Sequence, residues 1–220
     1  MSYRGGVAHG ADDQDEGPAD WDIRHKIAVS LNWKLPSPES GAARAILGGW
    51  QLGGVLLAQS GTPFSVVCTR SFAAIRDGAG NVIGNSGCDY NADGTNSDRP
   101  DVPSFGSSLS GLSNDDYLTG IFAAGDFPTP TPGRIGTLGR NTYRGPRYFN
   151  VDLALIKTFQ FPGIGGGGNK TDLQLRIEAF NAFDTTNLFN PVNNLADSQF
   201  GRSNQALYGR ILQFSARIAF

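Results

Sequence analysis

No stretch of the sequence approaches the roughly 18 uninterrupted apolar residues that a transmembrane helix requires, which excludes a helical membrane protein. Histidine is also scarce, with only His9 and His25, and no Ser-His-Asp or HExxH arrangement is visible. We therefore expect that the protein is not an enzyme. Lys and Arg are scattered and the formal net charge is −2, so no nucleic-acid partner is expected.

Cysteine is limited to Cys68 and Cys88, both in a segment of loop-like composition. An even number of cysteines in a loop is typical of a disulfide formed outside the cytoplasm. The alternative is a pair of small unpaired residues. The sequence favours the Cys68–Cys88 disulfide.

Glycine and phenylalanine are abundant, with 30 and 14 residues, which indicates a turn-rich all-β protein because aromatic side chains favour strands. The last segment, 208–220, shows the strand pattern most clearly. From residue 211 onward its even-numbered positions form an apolar face: Leu212, Phe214, Ala216, Ile218 and Phe220. The positions between them form a more polar face, and the chain closes on an aromatic residue.

Similar alternation recurs in four earlier segments, so about five long strands are predicted, at 23–35, 50–60, 148–159, 171–183 and 208–220. Strands of about ten residues with one apolar and one polar face are the signature of an outer-membrane β-barrel wall. Bacterial single-chain barrels have even strand numbers, so five strands do not close. We predict an all-β fold, an open curved antiparallel sheet that is a segment of a larger barrel in the outer membrane of a Gram-negative bacterium.

The connectors alternate in length: 36–49 and 160–170 are short, whereas 61–147 and 184–207 are long. Long connectors lie outside the cell in bacterial barrels, so 61–147 and 184–207 are predicted to be extracellular loops. The former is expected to be irregular, because it contains most of the prolines. Segment 39–47 is expected to be a short connection rather than a helix.

The first 20 residues contain no apolar core of a signal peptide. An outer-membrane protein must be exported, so the chain is expected to be a fragment of something longer. The acidic run in this segment is expected to be solvated: Asp12, Asp13, Asp15 and Glu16.

Charged side chains fall on the polar, lumen-facing side of three predicted strands: Asp152, Asp172, Arg176, Glu178 and Arg217. They could line a substrate path, but a solvated ion-pair network is favoured. Lys157 falls on the apolar face near a strand end and is expected to extend to the membrane interface. Four arginines precede the third strand: Arg134, Arg140, Arg144 and Arg147. They could bind an anionic substrate or lipid headgroups, or form a basic loop edge without such a task.

One loop resembles the first half of a calcium-binding loop, with oxygen-bearing side chains at Asp89, Asn91 and Asp93 followed by Gly94. Pro100 stands where such a loop has its bidentate Glu, so Asp98 or Asp101 would have to substitute. Calcium is the one candidate cofactor. The alternative is an Asx-rich turn without metal, and the partial match favours the turn.

A series of short motifs follows along nearly the whole chain: Asp22-Ile23-Arg24-His25-Lys26, Gly49-Trp50-Gln51-Leu52, Gln59-Ser60-Gly61-Thr62-Pro63-Phe64, Asp98-Arg99-Pro100, Gly136-Thr137-Leu138-Gly139-Arg140-Asn141, Arg144-Gly145-Pro146, Phe149-Asn150-Val151-Asp152, Arg176-Ile177-Glu178-Ala179-Phe180-Asn181-Ala182-Phe183 and the terminal Phe220. In this order they resemble the C-terminal barrel of TonB-dependent receptors, most closely the group with an N-terminal carboxypeptidase-regulatory-like domain.

The resemblance implies an active transporter whose barrel of about 22 strands is plugged by an N-terminal domain. A periplasmic energy-coupling protein would act through that plug. The implied partners of this chain are outer-membrane lipid, the missing plug and the remaining barrel strands. The barrel-assembly machinery would read a terminal signal in Phe214, Ile218 and Phe220. The chain contains no plug and no coupling box, so it is not expected to transport on its own.

Two other functions are compatible with the residues. One is a structural or adhesive barrel segment without active transport, and the other is a soluble carbohydrate-binding β-sandwich. Folding without detergent would favour the sandwich, and an upstream plug with a coupling box would favour the transporter.

Overall fold

The long strands form a single five-stranded antiparallel sheet in the computed structural model, which describes residues 15–39, 41–71, 73–106, 108–162 and 170–220. In chain order these strands are β1 (Lys26–Lys34), β2 (Trp50–Gln59), β7 (Tyr148–Pro162), β8 (Lys170–Phe180) and β9 (Ile211–Ala219). Their order in the sheet is β1-β2-β7-β8-β9. The predicted all-β fold with an open antiparallel sheet is confirmed. His9 and the glycine-rich turn at 163–168 lie outside the described residues.

The register gives the sheet one continuous apolar face and one continuous polar face. Residues directly opposite each other in antiparallel strands project to the same side. One row of opposed residues is Trp33, Leu52, Leu155, Ile177 and Phe214. The next row is Lys34, Gln51, Ile156, Arg176 and Ser215. All five strands therefore keep the parity that the alternation predicts.

Among the described residues that connect or flank the five strands, none forms a layer over the apolar face of the sheet. Every residue of β1 and of β9 is exposed, and the Phe214 side chain is 70% exposed. A contiguous apolar surface of this kind is unusual for a protein face in water and is typical of a surface that meets another apolar phase.

Strand β8 ends at Phe180 rather than at the predicted residue 183, because the backbone turns there. Asn181 and Asp184 both have positive φ values, 49° and 55°. Asn and Asp tolerate this region because their short polar side chains bond locally. The Asn181 side-chain oxygen accepts from the Thr185 N–H at 2.9 Å, and Asp152 accepts from the Asn181 N–H at 2.9 Å.

The connector between β1 and β2 contains helix α1 (Gly41–Leu47), where the sequence favoured a connection without a helix. Lys157 of β7 is also placed differently from the prediction. Its side chain does not extend outward but is buried, and its ammonium group donates to backbone carbonyls at the end of α1. The contact joins segments that are more than 100 residues apart, so the alternation along β7 alone does not predict where the Lys157 ammonium group lies.

A second compact unit contains residues 60–147 and 188–206 together with the described residues 15–24. Its elements are β3 (Pro63–Phe64), β4 (Ala73–Arg76), β5 (Val82–Ser86), α2 (Asn114–Thr119), a 3-10 turn (Ala124–Asp126) and β6 (Tyr143–Arg144). Strands β3 and β6 pair, as do β4 and β5. Ser113 caps α2, accepting from the Asp116 N–H while the Asp116 carboxylate accepts from the Ser113 N–H.

Aromatic side chains form the core of this second unit, which we call the loop unit. Its buried cluster is Phe64, Val66, Phe122, Phe127, Leu138, Tyr143 and Phe200. Phe122 contacts the rings of Tyr143 and Phe127 at centroid distances of 4.7 and 5.2 Å. The prediction of an irregular region at 61–147 is therefore incomplete, since its irregular backbone encloses a hydrophobic core. Within the described residues, no helix is long and apolar enough to span a membrane.

Candidate functional site

The five charged residues predicted to face the lumen all lie on the polar face of the sheet. Asp152 is on β7, Asp172, Arg176 and Glu178 are on β8, and Arg217 is on β9. Glu178 lies opposite Gln213, and Arg217 lies opposite Gln174. Three of the five charges lie on β8, where they share one face because alternate residues of a strand project to the same side.

The charges on β8 are partly paired with each other. The Arg176 Nη2 atom donates to Glu178 Oε1 at 2.6 Å, two residues along the same strand. Arg176 Nε and Asp172 Oδ1 are both buried atoms without a hydrogen-bond partner in the described part of the chain. Buried polar atoms normally have a partner. These two atoms are therefore exceptions on the polar face among the described residues.

Asp152 has a different role from the other four. Its Oδ1 atom accepts from the Asn150 side chain and from the Asn181 N–H, each at 2.9 Å. These bonds fix the turn that ends β8, so the carboxylate is occupied within the protein. Asp152 therefore stabilises the turn at Asn181 that follows β8.

The three residues of the predicted assembly signal are not equivalent. Phe214 and Ile218 belong to the apolar face of β9. Phe220 follows the last residue of β9, and its side chain is 91% exposed. An exposed terminal aromatic side chain is accessible to another protein.

The structure joins Cys68 and Cys88 in a disulfide with an S–S distance of 2.01 Å. Both cysteines are buried, and Tyr90 packs with them as a small second cluster of the loop unit. The bridge links segments 20 residues apart, and the Cys68 N–H donates to the Asp98 carbonyl at 2.8 Å.

The acidic loop uses its carboxylates to bind its own backbone. Asp89 accepts from the N–H groups of Asp93 and Gly94, and Asp98 accepts from those of Tyr90 and Asn91. Burial raises the pKa of Asp98, whereas the Thr95 hydroxyl lowers the pKa of Asp93 by donating to it. In the described residues no three His, Cys, Asp or Glu side chains are grouped as metal ligands. The hydrogen bonds match the Asx-turn alternative, and the calcium site at Asp89, Asn91, Asp93 and Asp98 stays a prediction.

Three arginines of the loop unit pair with aspartates near the N-terminus, and one of these aspartates, Asp15, belongs to the acidic run that was predicted to be solvated. Three aspartates bind three arginines: Asp15 with Arg99 at 2.6 Å, Asp20 with Arg140 at 3.0 Å, and Asp22 with Arg144. The solvated interpretation is therefore wrong for Asp15, whereas Asp12 and Asp13 lie outside the described residues. The Asn141 side chain lowers the pKa of Asp20 by donating to it, and Arg140 adds to this effect.

The sequence left open whether the arginine cluster binds an anion or is a basic loop edge without such a task, and these pairs concern two of its four members. Arg140 and Arg144 already bind carboxylates of the same chain. The acidic character of the N-terminal segment is visible in the sequence, but nothing in the spacing of Asp15, Asp20 and Asp22 identifies their arginine partners. Arg99 was not part of the predicted cluster, and 84 residues separate it from its partner Asp15.

A family model described as an outer membrane beta barrel domain matches residues 5–213. The chain belongs to this family. Searches of curated proteins and of solved structures each found no match. The outer membrane beta barrel domain locates the protein in the outer membrane of Gram-negative bacteria, and it explains the exposed apolar face of the sheet. In such a barrel the apolar face meets lipid hydrocarbon and the polar face lines the interior.

Proposed function

We propose that this barrel domain is the C-terminal part of the barrel of a TonB-dependent outer-membrane transporter, which takes up a ligand actively. The observation that carries the proposal is that the motifs resembling this family meet in space. Gly61-Thr62-Pro63-Phe64 pairs with Tyr143-Arg144-Gly145 through β3 and β6. The Gly145 N–H donates to the Thr62 carbonyl at 3.0 Å.

A second pair of motifs is coupled in the same way. Asp98-Arg99-Pro100 contacts Gly136-Thr137-Leu138, since Arg99 Nε donates to the Leu138 carbonyl at 2.9 Å and the Leu138 N–H donates to the Pro100 carbonyl at 3.0 Å. A side chain at Gly136 would collide with the backbone of Arg99 and Pro100. The close approach at Gly136 and the Arg99 side-chain bond support the proposal that these two motifs form one structural unit.

The polar face supports a role for the sheet as the inner wall around a plug. Asp172, Arg176, Glu178 and Arg217 share this face, and the Glu178–Gln213 row lies four rows from the Gln174–Arg217 row. A polar plug surface would satisfy the hydrogen-bonding groups of such a face better than an apolar solute would. The alternative use of the same face, as the wall of a substrate path, requires the plug to move away from it.

The proposed partners follow from this assignment. They are outer-membrane lipid at the apolar face, the plug and the remaining barrel strands, a periplasmic energy-coupling protein that acts through the plug, and the barrel-assembly machinery at Phe214, Ile218 and Phe220. We propose that the protein neither catalyses a reaction nor binds nucleic acid. The soluble carbohydrate-binding sandwich is disfavoured because the five long strands belong to one sheet rather than two.

A binding experiment separates the transporter from an adhesive barrel without transport. The complete gene product, with whatever sequence precedes this domain, is produced in outer membranes and mixed with the purified periplasmic domain of the energy-coupling protein. We expect saturable binding that is lost when the upstream plug segment is deleted. A correctly folded barrel that shows no binding would leave the adhesive function as the better account.

A further inference from the structure

A cleft of about 800 Å³ borders strand β7 and the connector between β1 and β2. Its lining includes four consecutive residues of β7: Thr158, Phe159, Gln160 and Phe161. Consecutive side chains of a strand project to opposite faces, so neither face of the sheet presents all four. Four such residues border one space only along the edge of their strand. The cleft therefore lies in the plane of the sheet, beside the backbone of β7.

This edge of β7 is open because β2 ends before β7 does. Trp50, the first residue of β2, lies opposite Lys157. The Thr158 N–H still donates to the Gly49 carbonyl at 2.9 Å, but Gly49 has a φ of 70° and the chain turns away from β7 there. Strand β7 continues to Pro162 and pairs with β8 along its other edge. In the described part of the chain, no strand lies beside its last four residues on the β2 side.

The backbone of Gln160 points into this gap. In an antiparallel sheet, alternate residues of a strand direct their N–H and C=O groups to the same edge. Thr158 directs its N–H toward β2, so Gln160 does the same beyond the end of β2. The described residues of the connector supply no backbone hydrogen bond to Gln160. An unpaired strand edge is a template for another extended segment.

Lys157 fixes the wall opposite this edge. Its ammonium group donates to the carbonyls of Ala45 and Ile46, at 2.9 and 3.1 Å, at the end of helix α1. Unpaired carbonyls at the end of a helix carry partial negative charge, so a cation stabilises them. The same ammonium group lies 5.3 Å from the Trp50 ring centroid and 4.9 Å from that of Phe159. These contacts hold α1 against the sheet, and the helix forms part of the cleft wall.

Two cations give the cleft a positive charge. Lys34 and Arg44 both line it and are exposed, and neither forms a salt bridge with a carboxylate within the described residues. Arg44 donates to the Glu39 carbonyl at 3.0 Å through Nη1, which leaves other N–H groups of its guanidinium for a ligand. The register puts Lys34 on the polar face, the same side as Gln160, and Gln160 separates the gap from Asp172 on β8. A carboxylate is the complementary group for these cations.

The other side of the same edge is apolar. Phe159 and Phe161 belong to the apolar face of β7, and both line the cleft. A strand beside β7 would therefore have its alternate side chains in two different environments. One set would lie on the side of the cations and the other beside the two rings, because directly opposed residues project to the same side.

We propose that this cleft binds an extended acidic segment of a partner polypeptide, which adds a short antiparallel strand alongside β7. The partner residue opposite Gln160 exchanges backbone hydrogen bonds with it and directs an acidic side chain toward Lys34 and Arg44. Its two neighbours place apolar side chains beside Phe159 and Phe161. The recognised pattern is an acidic residue at every second position, between apolar ones. The inference depends on the open strand edge and its charges and not on the transport function.

A short peptide with this pattern tests the charge requirement. The probe is acetyl-Val-Glu-Val-Glu-Val-amide with a neutral fluorophore, and its anisotropy is measured with the full chain refolded in detergent micelles, against empty micelles. We expect saturable binding that is absent when both Glu residues of the peptide are replaced by Lys. The double variant Lys34→Gln with Arg44→Gln should weaken binding by about two- to fivefold for each cation removed.

A matched variant uses two cations at the opposite end of the sheet. Lys26 is the first residue of β1, and Arg210 immediately precedes β9. The variant Lys26→Gln with Arg210→Gln changes the net charge equally and should bind the peptide as the original chain does. Circular dichroism confirms that each variant retains its sheet. Equal affinities of the two double variants, or no saturable binding by the original chain, would overturn the proposal.

Methylation of the peptide backbone separates an added strand from charge attraction alone. In the proposed pairing the N–H groups of the two Glu residues point to β7, and those of the Val residues point away. Methylating both Glu nitrogens should therefore weaken binding at least about fivefold, whereas methylating the nitrogens of the third and fifth residues should leave it unchanged. The original peptide should also slow hydrogen exchange at the Gln160 amide. Equal effects of the two methylated peptides, or unchanged exchange at Gln160, would contradict strand addition.

Discussion

Replacing Phe122 by Ala is expected to lower the free energy of unfolding of the loop unit by about 3 to 5 kcal/mol. Phe122 is 7% exposed and lies at the centre of the aromatic core. Its ring contacts five others: Phe64, Phe105, Phe127, Tyr143 and Phe200. Truncation leaves a cavity that these rings fill only in part, since each is also held by its own neighbours.

Hydrogen exchange measures this effect on the loop unit separately from the sheet. Amides buried in the core, including that of Leu138, should exchange faster in the variant, while amides of β7 and β8 should keep their protection. Phe189→Ala is the matched control, because Phe189 belongs to the same unit but is 48% exposed, against 7% for Phe122. Equal effects of the two substitutions would show that the region lacks an organised core.

Replacing Phe214 by Arg is expected to destabilise the barrel domain in lipid by about 2 to 4 kcal/mol. Phe214 lies in the middle of β9 on the apolar face, opposite Ile177. An arginine there would enter lipid hydrocarbon, where a charge has no partner. In water the same change at an exposed position would alter stability by no more than about 0.5 kcal/mol.

The adjacent residue provides the control. Gln213 lies on the polar face opposite Glu178, so Gln213→Arg places the same side chain beside a carboxylate. Its expected effect is close to zero. Urea unfolding of the domain reconstituted in lipid vesicles compares the two variants. Similar effects for both would contradict the assignment of the two faces.

The sequence predicts the sheet well because its faces are set by a local rule. Alternation along β8 and along β9 predicts that Ile177 and Phe214 belong to the apolar face. The observed register places these two residues directly opposite each other on that face. The apolar face must be continuous where it meets hydrocarbon, so each strand carries the pattern separately. No long-range information is needed to read it.

The loop unit is different because its contacts join residues that are distant along the chain. Phe64 and Tyr143 pack at a centroid distance of 6.1 Å although 79 positions separate their numbers, and no periodicity links them. The same holds for the Asp15–Arg99 pair. The number of phenylalanines in the sequence indicates that a core can form, but the sequence does not show which residues contact each other in it.

Lys157 shows how a correct pattern leads to a wrong placement. Its parity puts it on the apolar face, where a lysine is expected to extend to water. Instead its ammonium group finds backbone carbonyls that the end of α1 leaves without partners. A helix of seven residues has little periodicity of its own, so the sequence does not reveal the acceptors.

Site-directed spin labelling along β9 tests most directly whether the apolar face of the sheet meets lipid. Single cysteines are introduced at each position of 211–219, since the two native cysteines are joined in a disulfide. In vesicles, labels at Leu212, Phe214, Ala216 and Ile218 should be accessible to oxygen dissolved in the bilayer, and labels at Gln213, Ser215 and Arg217 to a water-soluble nickel chelate. The predicted result is an alternation with a period of two residues. Uniform access of the nickel chelate along the whole strand would contradict a membrane barrel wall.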